Sequence, residues 1–294
     1  MSLLASYIAH AKTVKPTQTA YVYTLAARQF VAFVTKQGWT IEQSPPTALQ
    51  EFVNSLVSRY APRSITTKYF GVRDFLGWLA KQGTPVTVHL TCELPRADDP
   101  EQVVLDQAQV GRLLAYLQSP PADFPLQACV TIGLMVGSGL RVSEVCALQV
   151  GQLYPTAKGG LRLDVLGKGG KRRIVPVMGF ARQLLVKWLR ATRPRTWLFP
   201  SVRGAACHHL VPRAVDAWTL DLSRRLGLYL HPHALRHTYL TLLNEAGVDA
   251  FTIRKIAGHS SLKTTALYVH PTAAGMDAAI AKTEDLLCST KKEP

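Results

Sequence analysis

Cysteine, acidic side chains and long apolar runs are all in short supply in this 294-residue chain. The five cysteines, Cys92, Cys129, Cys146, Cys207 and Cys288, are scattered and include no CxxC pair. Their odd number in an apolar context argues against a disulfide framework and points to reduced core thiols and a cytoplasmic setting. The longest apolar run, ACVTIGLMVG, is too short to span a bilayer, so no membrane association is expected. The opening MSLLASYIAHAK has no basic n-region and no clear cleavage site, and it does not read as a secretion signal. Internal repeats and low-complexity tracts are missing too, which removes repeat architectures from consideration. Only 19 Asp and Glu stand against 34 Lys and Arg, a formal net charge of +15. A site built on carboxylates converging around Mg²⁺ is disfavoured by that shortage.

What is present is basic charge on a folded background. A hydrophobic content of 47% supports real cores, and the length suits two domains. Residues 1–95 hold nine basic and four acidic side chains; residues 96–294 hold 25 and 15. Both parts are therefore basic, which fits a protein that surrounds a polyanion, with charge for solubility as the plainer alternative.

The first 95 residues read as a helical module of about four helices. One starts near residue 2. The next lies in TAYVYTLAARQFVAFVTKQG, where Tyr21, Leu25, Phe30 and Phe33 can share a broad apolar face. A third follows Pro45-Pro46, and a fourth starts near Pro62 and stops at Gly83. Arg63 and Lys68 on the fourth are candidate DNA contacts. TCELPRADDPEQ marks a linker at residues 96–104, and its Asp98-Asp99 pair is a weak metal candidate. A second domain is expected over 105–294, opening with Asp106 as N-cap and Gln109 closing a capping box. It reads as mainly helical, over 107–118, 125–136, 140–148, 178–190, 210–226, 234–246, 250–257 and 262–270. LRLDVLGKGGKRRIVPV interrupts it as a β-hairpin.

The chemistry concentrates in this second part. Phosphoryl transfer spreads negative charge over nonbridging oxygens, and two guanidinium forks can stabilise it in place of a metal. Arg141 follows Gly137-Ser138-Gly139 and is expected in a first helical turn, with Glu144 one turn on to orient it. Lys168 occupies the GKGG turn, which lacks P-loop spacing, and can protonate a departing 5′-oxygen. Lys171, Arg172 and Arg173 beside it are expected to contact phosphates. His233 and Arg236 lie one helical turn apart and can face one phosphate. His237 is assigned to structure, and Cys207-His208-His209 to chance. No acidic or thiol ligand at metal spacing accompanies these histidines, so zinc is disfavoured. His259 follows Gly258, and Tyr268 comes nine positions later. A phenol with an unperturbed pKa near about 10 needs a base and a positive field to act as a nucleophile. His233 and the two arginines can supply both.

GSGLRVSEVCAL, GKGGKRRIVPV and HPHALRHTYLTLLNEAGVDAFTIRKIAGHSSLKTTALYVH together resemble the tyrosine recombinase (phage integrase-like) family, in particular its compact Xer-type branch. The resemblance is close over residues 105–270. It is looser over the N-terminal helices, which are similar to the family's core-binding module. AGMDAAIAKTEDLL resembles its C-terminal exchange helix. One departure is LQVGQL, where the family usually carries an acidic residue, and it leaves the local strand geometry open.

The resemblance implies a helical DNA-binding domain and a mixed α/β catalytic domain with a small antiparallel sheet, closing as a clamp on duplex DNA. It implies Arg141 and Arg236 on the scissile phosphate, Lys168 as general acid, His233 as acid/base and His259 as hydrogen-bond donor. Tyr268 would be the nucleophile and Glu144 the acidic support. It also implies a homotetramer on two duplexes, with a partner recombinase possible, and no cofactor. Type IB topoisomerase-like relaxation is the nearest alternative, and a non-catalytic DNA-binding regulator the next. The dedicated N-terminal module argues against the first, and the intact residue set against the second. Chromosome-dimer resolution, transposon, integron and phage recombination all stay open.

Overall fold

The structure, a computed structural model, describes residues 2–96, 103–167, 170–201 and 208–258. The chain divides into two compact units, Met1–Pro100 and Glu101–Pro294.

The first unit holds α1 (Leu3–Val14), α2 (Thr17–Lys36), α3 (Ala48–Leu56) and α4 (Pro62–Lys81). Its core gathers Tyr7, Phe30, Phe52, Phe75 and the leucines of α3 and α4. The buried face of α2 holds Phe30, with Phe33 packed at its edge, but not the other two residues of the expected face. Tyr21 is 64% exposed and Leu25 also faces solvent, whereas Ala20, Thr24, Ala26, Ala27, Phe30 and Val34 are buried. Small side chains win this face because α4 comes close: a Cβ at Gly71 would lie 2.8 Å from Ala26 Cβ. The Tyr7 hydroxyl donates to Asp74 Oδ2 at 2.7 Å, and Lys15 Nζ reaches Asp74 Oδ1 at 2.8 Å, pinning α1 to α4.

The second unit is built around α6 (Leu126–Ser138). Every residue from Gln127 to Ser138 is buried, so the longest apolar run is a core helix surrounded on all sides. Against it pack α5 (Gln107–Gln118), α8 (Gly179–Thr192), α9 (Pro212–Leu226) and α10 (Pro232–Glu245). Asp106 and Gln109 form the expected capping box of α5, with bonds of 2.7 and 3.0 Å. The short α7 (Val142–Cys146) follows α6, and α11 (Ala250–Ala257) closes the described chain. Cys129 and Cys146 are buried free thiols, and burial pushes them up to about 11 and about 12.

The sheet is antiparallel, in the order β1 (Leu153–Pro155), β2 (Leu161–Leu166), β3 (Arg172–Val177). The β2–β3 hairpin stands where the residues indicated, with Leu163 facing Val175 and Val165 facing Arg173. LQVGQL resolves into a 3₁₀ turn leading into β1. Gln152 closes it, accepting from the Gln149 N–H at 2.7 Å and donating to the Asp164 carbonyl at 2.6 Å. An amide that donates and accepts at once does here what a carboxylate could do only in part. The chain is thus mainly α with a small antiparallel β-sheet. No described helix is long and apolar enough to cross a membrane.

Candidate active site

Helix α6 ends on Gly139, whose φ of 65° is left-handed. A Cβ there would also lie 2.4 Å from Tyr239 Cδ1, so conformation and space both demand glycine. The turn delivers Arg141 as the N-cap residue of α7, one position short of the first turn where it was expected. Its backbone N–H donates to Glu144 Oε2 at 2.8 Å, and its Nη1 donates to Glu144 Oε1 at 2.9 Å.

Glu144 is 7% exposed. Beyond Arg141 it accepts two bonds from Arg173, Nη1 to Oε1 and Nη2 to Oε2, both 2.8 Å. Burial pushes its carboxyl up, but the hydrogen bonds and charges of Arg173 and Arg141 outweigh this and hold it below the usual carboxylate range.

Arg173 differs from its expected role as a phosphate contact. Its side chain is only 8% exposed, and its Nε donates to the Ile256 carbonyl at 2.7 Å. The reason is strand alternation. Arg173 shares the inward face of β3 with Val175 and Val177, whereas Arg172 and Ile174 point out. Arg172 keeps a 63% exposed side chain and pairs across the hairpin with Asp164 at 2.9 Å. Lys171 is exposed.

The C-terminal end of α11 gathers the arginines. The carbonyls of Ile256, Ala257 and Gly258 accept from Arg173, Arg236 and Arg141 respectively, at 2.7, 2.7 and 3.1 Å. A helix leaves its last carbonyls without intrahelical partners and carries partial negative charge there, so three cations are held side by side at modest cost. Arg236, 4% exposed, also donates to the Gly139 carbonyl. Gly258 turns the chain at φ 64°, and a Cβ on it would lie 3.1 Å from the Arg173 guanidinium carbon.

His233 is exposed in the first turn of α10, on the same helix as Arg236. His231 caps that helix, its Nδ1 accepting from the Ala234 N–H at 3.2 Å. Burial, then the charge of His233, lowers its pKa. Burial, then the charges of His233, Arg236 and His231, drives His237 down to about 4. It is neutral at pH 7, in keeping with a structural place. Lys168, His259, Tyr268, the Asp98-Asp99 pair and Cys207 lie outside the described residues. In the first unit, Arg63 is exposed near the start of α4. Lys68 donates to Gln29 Oε1 at 2.5 Å and sits 4.3 Å from the Tyr60 ring centroid.

A cleft of about 1130 Å³ opens beside this cluster, and Arg141, Lys171, Arg172, Arg173, Arg254 and Lys255 line it. Arg254 and Lys255 were not singled out from the sequence. Their signal was position: the last turn of a helix ending at Gly-His, on the side facing the hairpin. Among the described residues the cleft's one acid is Glu144, already committed to arginines, so this surface is strongly cationic.

Three guanidiniums, two of them buried, are thus gathered at one helix end beside a basic cleft, a surface suited to a polyanion. Residues 103–274 match the phage integrase family. Among curated proteins, the chain is 31% identical over 283 residues to tyrosine recombinase XerC of Xanthomonas campestris, covering 92% of this chain and 84% of that one. It is 30% identical over 251 residues to tyrosine recombinase XerD of Caulobacter vibrioides, covering 81% of each. Among solved structures, XerH bound to palindromic difH substrate matches with a TM-score of 0.74 at 18% identity, over 96% of this chain and 84% of that chain. The Tn1549 transposon integrase with circular intermediate DNA matches with a TM-score of 0.70 at 18% identity, over 95% and 98%. The chain belongs to the phage integrase family and is a tyrosine recombinase, a site-specific DNA-recombining enzyme.

Proposed function

We propose that this enzyme cuts and rejoins DNA by transesterification through a 3′-phosphotyrosine, with Tyr268 as nucleophile. The Tyr268 oxygen attacks the scissile phosphorus, and the bond to the 5′-oxygen breaks. Lys168 gives that oxygen its proton, leaving a free 5′-hydroxyl. The 5′-hydroxyl of a partner strand then attacks the phosphotyrosine and releases Tyr268. One phosphodiester is exchanged for another, so neither ATP nor a metal is required. Arg141 and Arg236 take the charge that develops on the nonbridging oxygens. His233 moves the tyrosine proton, and His259 donates to the phosphate.

One observation carries this reading. Arg141 and Arg236 are seated on the adjacent carbonyls of Gly258 and Ala257, immediately before His259 in the chain. Only two of the five Arg141 side-chain N–H groups are engaged among the described residues, which leaves donors for a phosphate. Duplex DNA carrying a recombination site would lie along the basic cleft on Lys171 and Arg172. Residues 1–95 would form a second DNA-binding domain that uses Arg63 and Lys68, with 96–104 as linker and 105–294 as the catalytic domain. The working assembly is a cytoplasmic homotetramer on two duplexes, joined through the C-terminal segment.

A nicked suicide duplex carrying the cognate site tests the chemistry. The enzyme should form a covalent adduct that survives denaturing electrophoresis, and Tyr268→Phe should form none. An adduct that persists in Tyr268→Phe overturns the assignment.

A further inference from the structure

Glu144 faces two guanidiniums with one carboxylate. Arg173 fills both oxygens with a two-point fork at 2.8 Å each, while the Arg141 side chain makes a single contact through Nη1 at 2.9 Å. Arg173 is itself held from the other side, by the Ile256 carbonyl at 2.7 Å and by close packing against Gly258. The two partners are 8% and 5% exposed, so water cannot replace either.

We infer that Arg173 is a positioning residue whose task is to keep Glu144 from closing on Arg141. A carboxylate and a guanidinium pair most strongly through two parallel bonds. With Arg173 gone, the buried carboxylate has Arg141 as its one remaining ion-pair partner among the described residues. It would take Arg141 two-point, turning its donors and charge away from the cleft. With Arg173 present, both carboxylate oxygens are already taken by the tighter fork. Glu144 then orients Arg141 by its backbone N–H and one Nη1 bond without neutralising it. Arg173 thus serves the phosphate through Arg141 and never touches it.

This inference rests on the reading of Arg141 as a phosphate ligand. Single-turnover cleavage of the suicide duplex, with all DNA bound, separates the two. Wild type must form the adduct and Tyr268→Phe must not; if that control fails, the functional reading fails first. Given that control, Arg173→Met should slow cleavage about a hundredfold, the scale of a displaced catalytic group. Its salt slope should flatten by roughly 0.9, the one phosphate contact that Arg141 gives up, and should return to the wild-type value when Glu144 is also changed to Gln. The double variant Arg173→Met/Glu144→Gln should cleave about tenfold faster than Arg173→Met, because the competing charge is gone. Thermal melting of each variant confirms that the fold is present at the assay temperature. If Arg173→Met does not fold, Arg173→Lys with and without Glu144→Gln is read the same way. Lysine keeps the charge but occupies only one carboxylate oxygen.

A double variant no faster than the single one would overturn the inference, as would a single variant that cleaves like wild type. A slope of log affinity against log salt that stays flattened by about one in Arg173→Met/Glu144→Gln would also overturn it, since it would make Arg173 a direct phosphate contact.

Discussion

Arg141, which caps α7, and Arg236, which lies within α10, are far apart in the chain, yet they donate to the carbonyls of neighbouring residues, Gly258 and Ala257. The C-terminus of α11 therefore sets the spacing of the two guanidiniums. Removing either should lower the cleavage rate of bound DNA by about 10²–10³-fold, the usual loss for one preorganised donor at a developing charge. Arg141→Ala should fold normally, because its side chain is 30% exposed. For the buried Arg236, Arg236→Lys is the better variant. Single-turnover adduct formation measures both, and a loss below about tenfold would remove that residue from the phosphate clamp.

Lys171 and Arg172 stand at the open edge of the cleft and should act on binding rather than chemistry. Lys171→Gln and Arg172→Gln should each flatten the slope of log affinity against log salt by roughly 0.9, with little change in the cleavage rate of saturated complexes. Titrations of duplex at several salt concentrations decide this. An unchanged slope for both would place the duplex elsewhere.

Gly139 joins the core to the site. Gly139→Ala forces a side chain into a left-handed conformation and into the Tyr239 ring, at 2.4 Å before any relaxation. The expected cost is about 2–4 kcal/mol, from strain and overpacking together. Because the Gly139 carbonyl also receives Arg236, cleavage should fall even at temperatures where the variant is folded. Denaturant unfolding paired with single-turnover assays reads both effects.

His237 gives stability a pH dependence of definite sign. Its pKa is about 4 in the folded protein against 6.5 ordinarily, so below pH 6.5 the unfolded chain takes up a proton that the native state refuses. Its contribution is fully present above pH 6.5 and is lost as pH falls from there towards 4. Partial exposure of the ring holds the effect to about 1–2 kcal/mol. Melting temperatures from pH 7 to pH 4 should drop less steeply in His237→Asn than in wild type. Parallel curves would show that other groups carry the acid sensitivity.

Local rules governed what could be read from residues alone. Asp106 and Gln109 announce a capping box because both partners lie within one turn, and the helix 107–118 follows from them as observed. The hairpin over 161–177 is equally local, since a Gly-rich turn joins two β-rich runs. Residue type also pointed to guanidiniums rather than carboxylates at the site. Helix α2 shows where such reasoning stops: Phe30 is core as its spacing suggested, but Tyr21 and Leu25 face solvent, and the close approach of Gly71 on α4 is met by Ala26 instead.

The sequence by itself determined the family, the fold class and the residue types available for chemistry, because these rest on short-range periodicity, turn composition and motif spacing. Only the tertiary structure decided which arginines share one anchor. The carbonyls of Ile256, Ala257 and Gly258 attract whichever cations the fold brings to them, and β3, α10 and α7 each bring one. Arg172 and Arg173 are chemically identical neighbours, yet one faces solvent beside Asp164 and the other is buried on Glu144. A strand sends successive side chains to opposite faces, and which face is inside depends on what packs there. Here it is α7 and the end of α11, both remote from β3 in the chain.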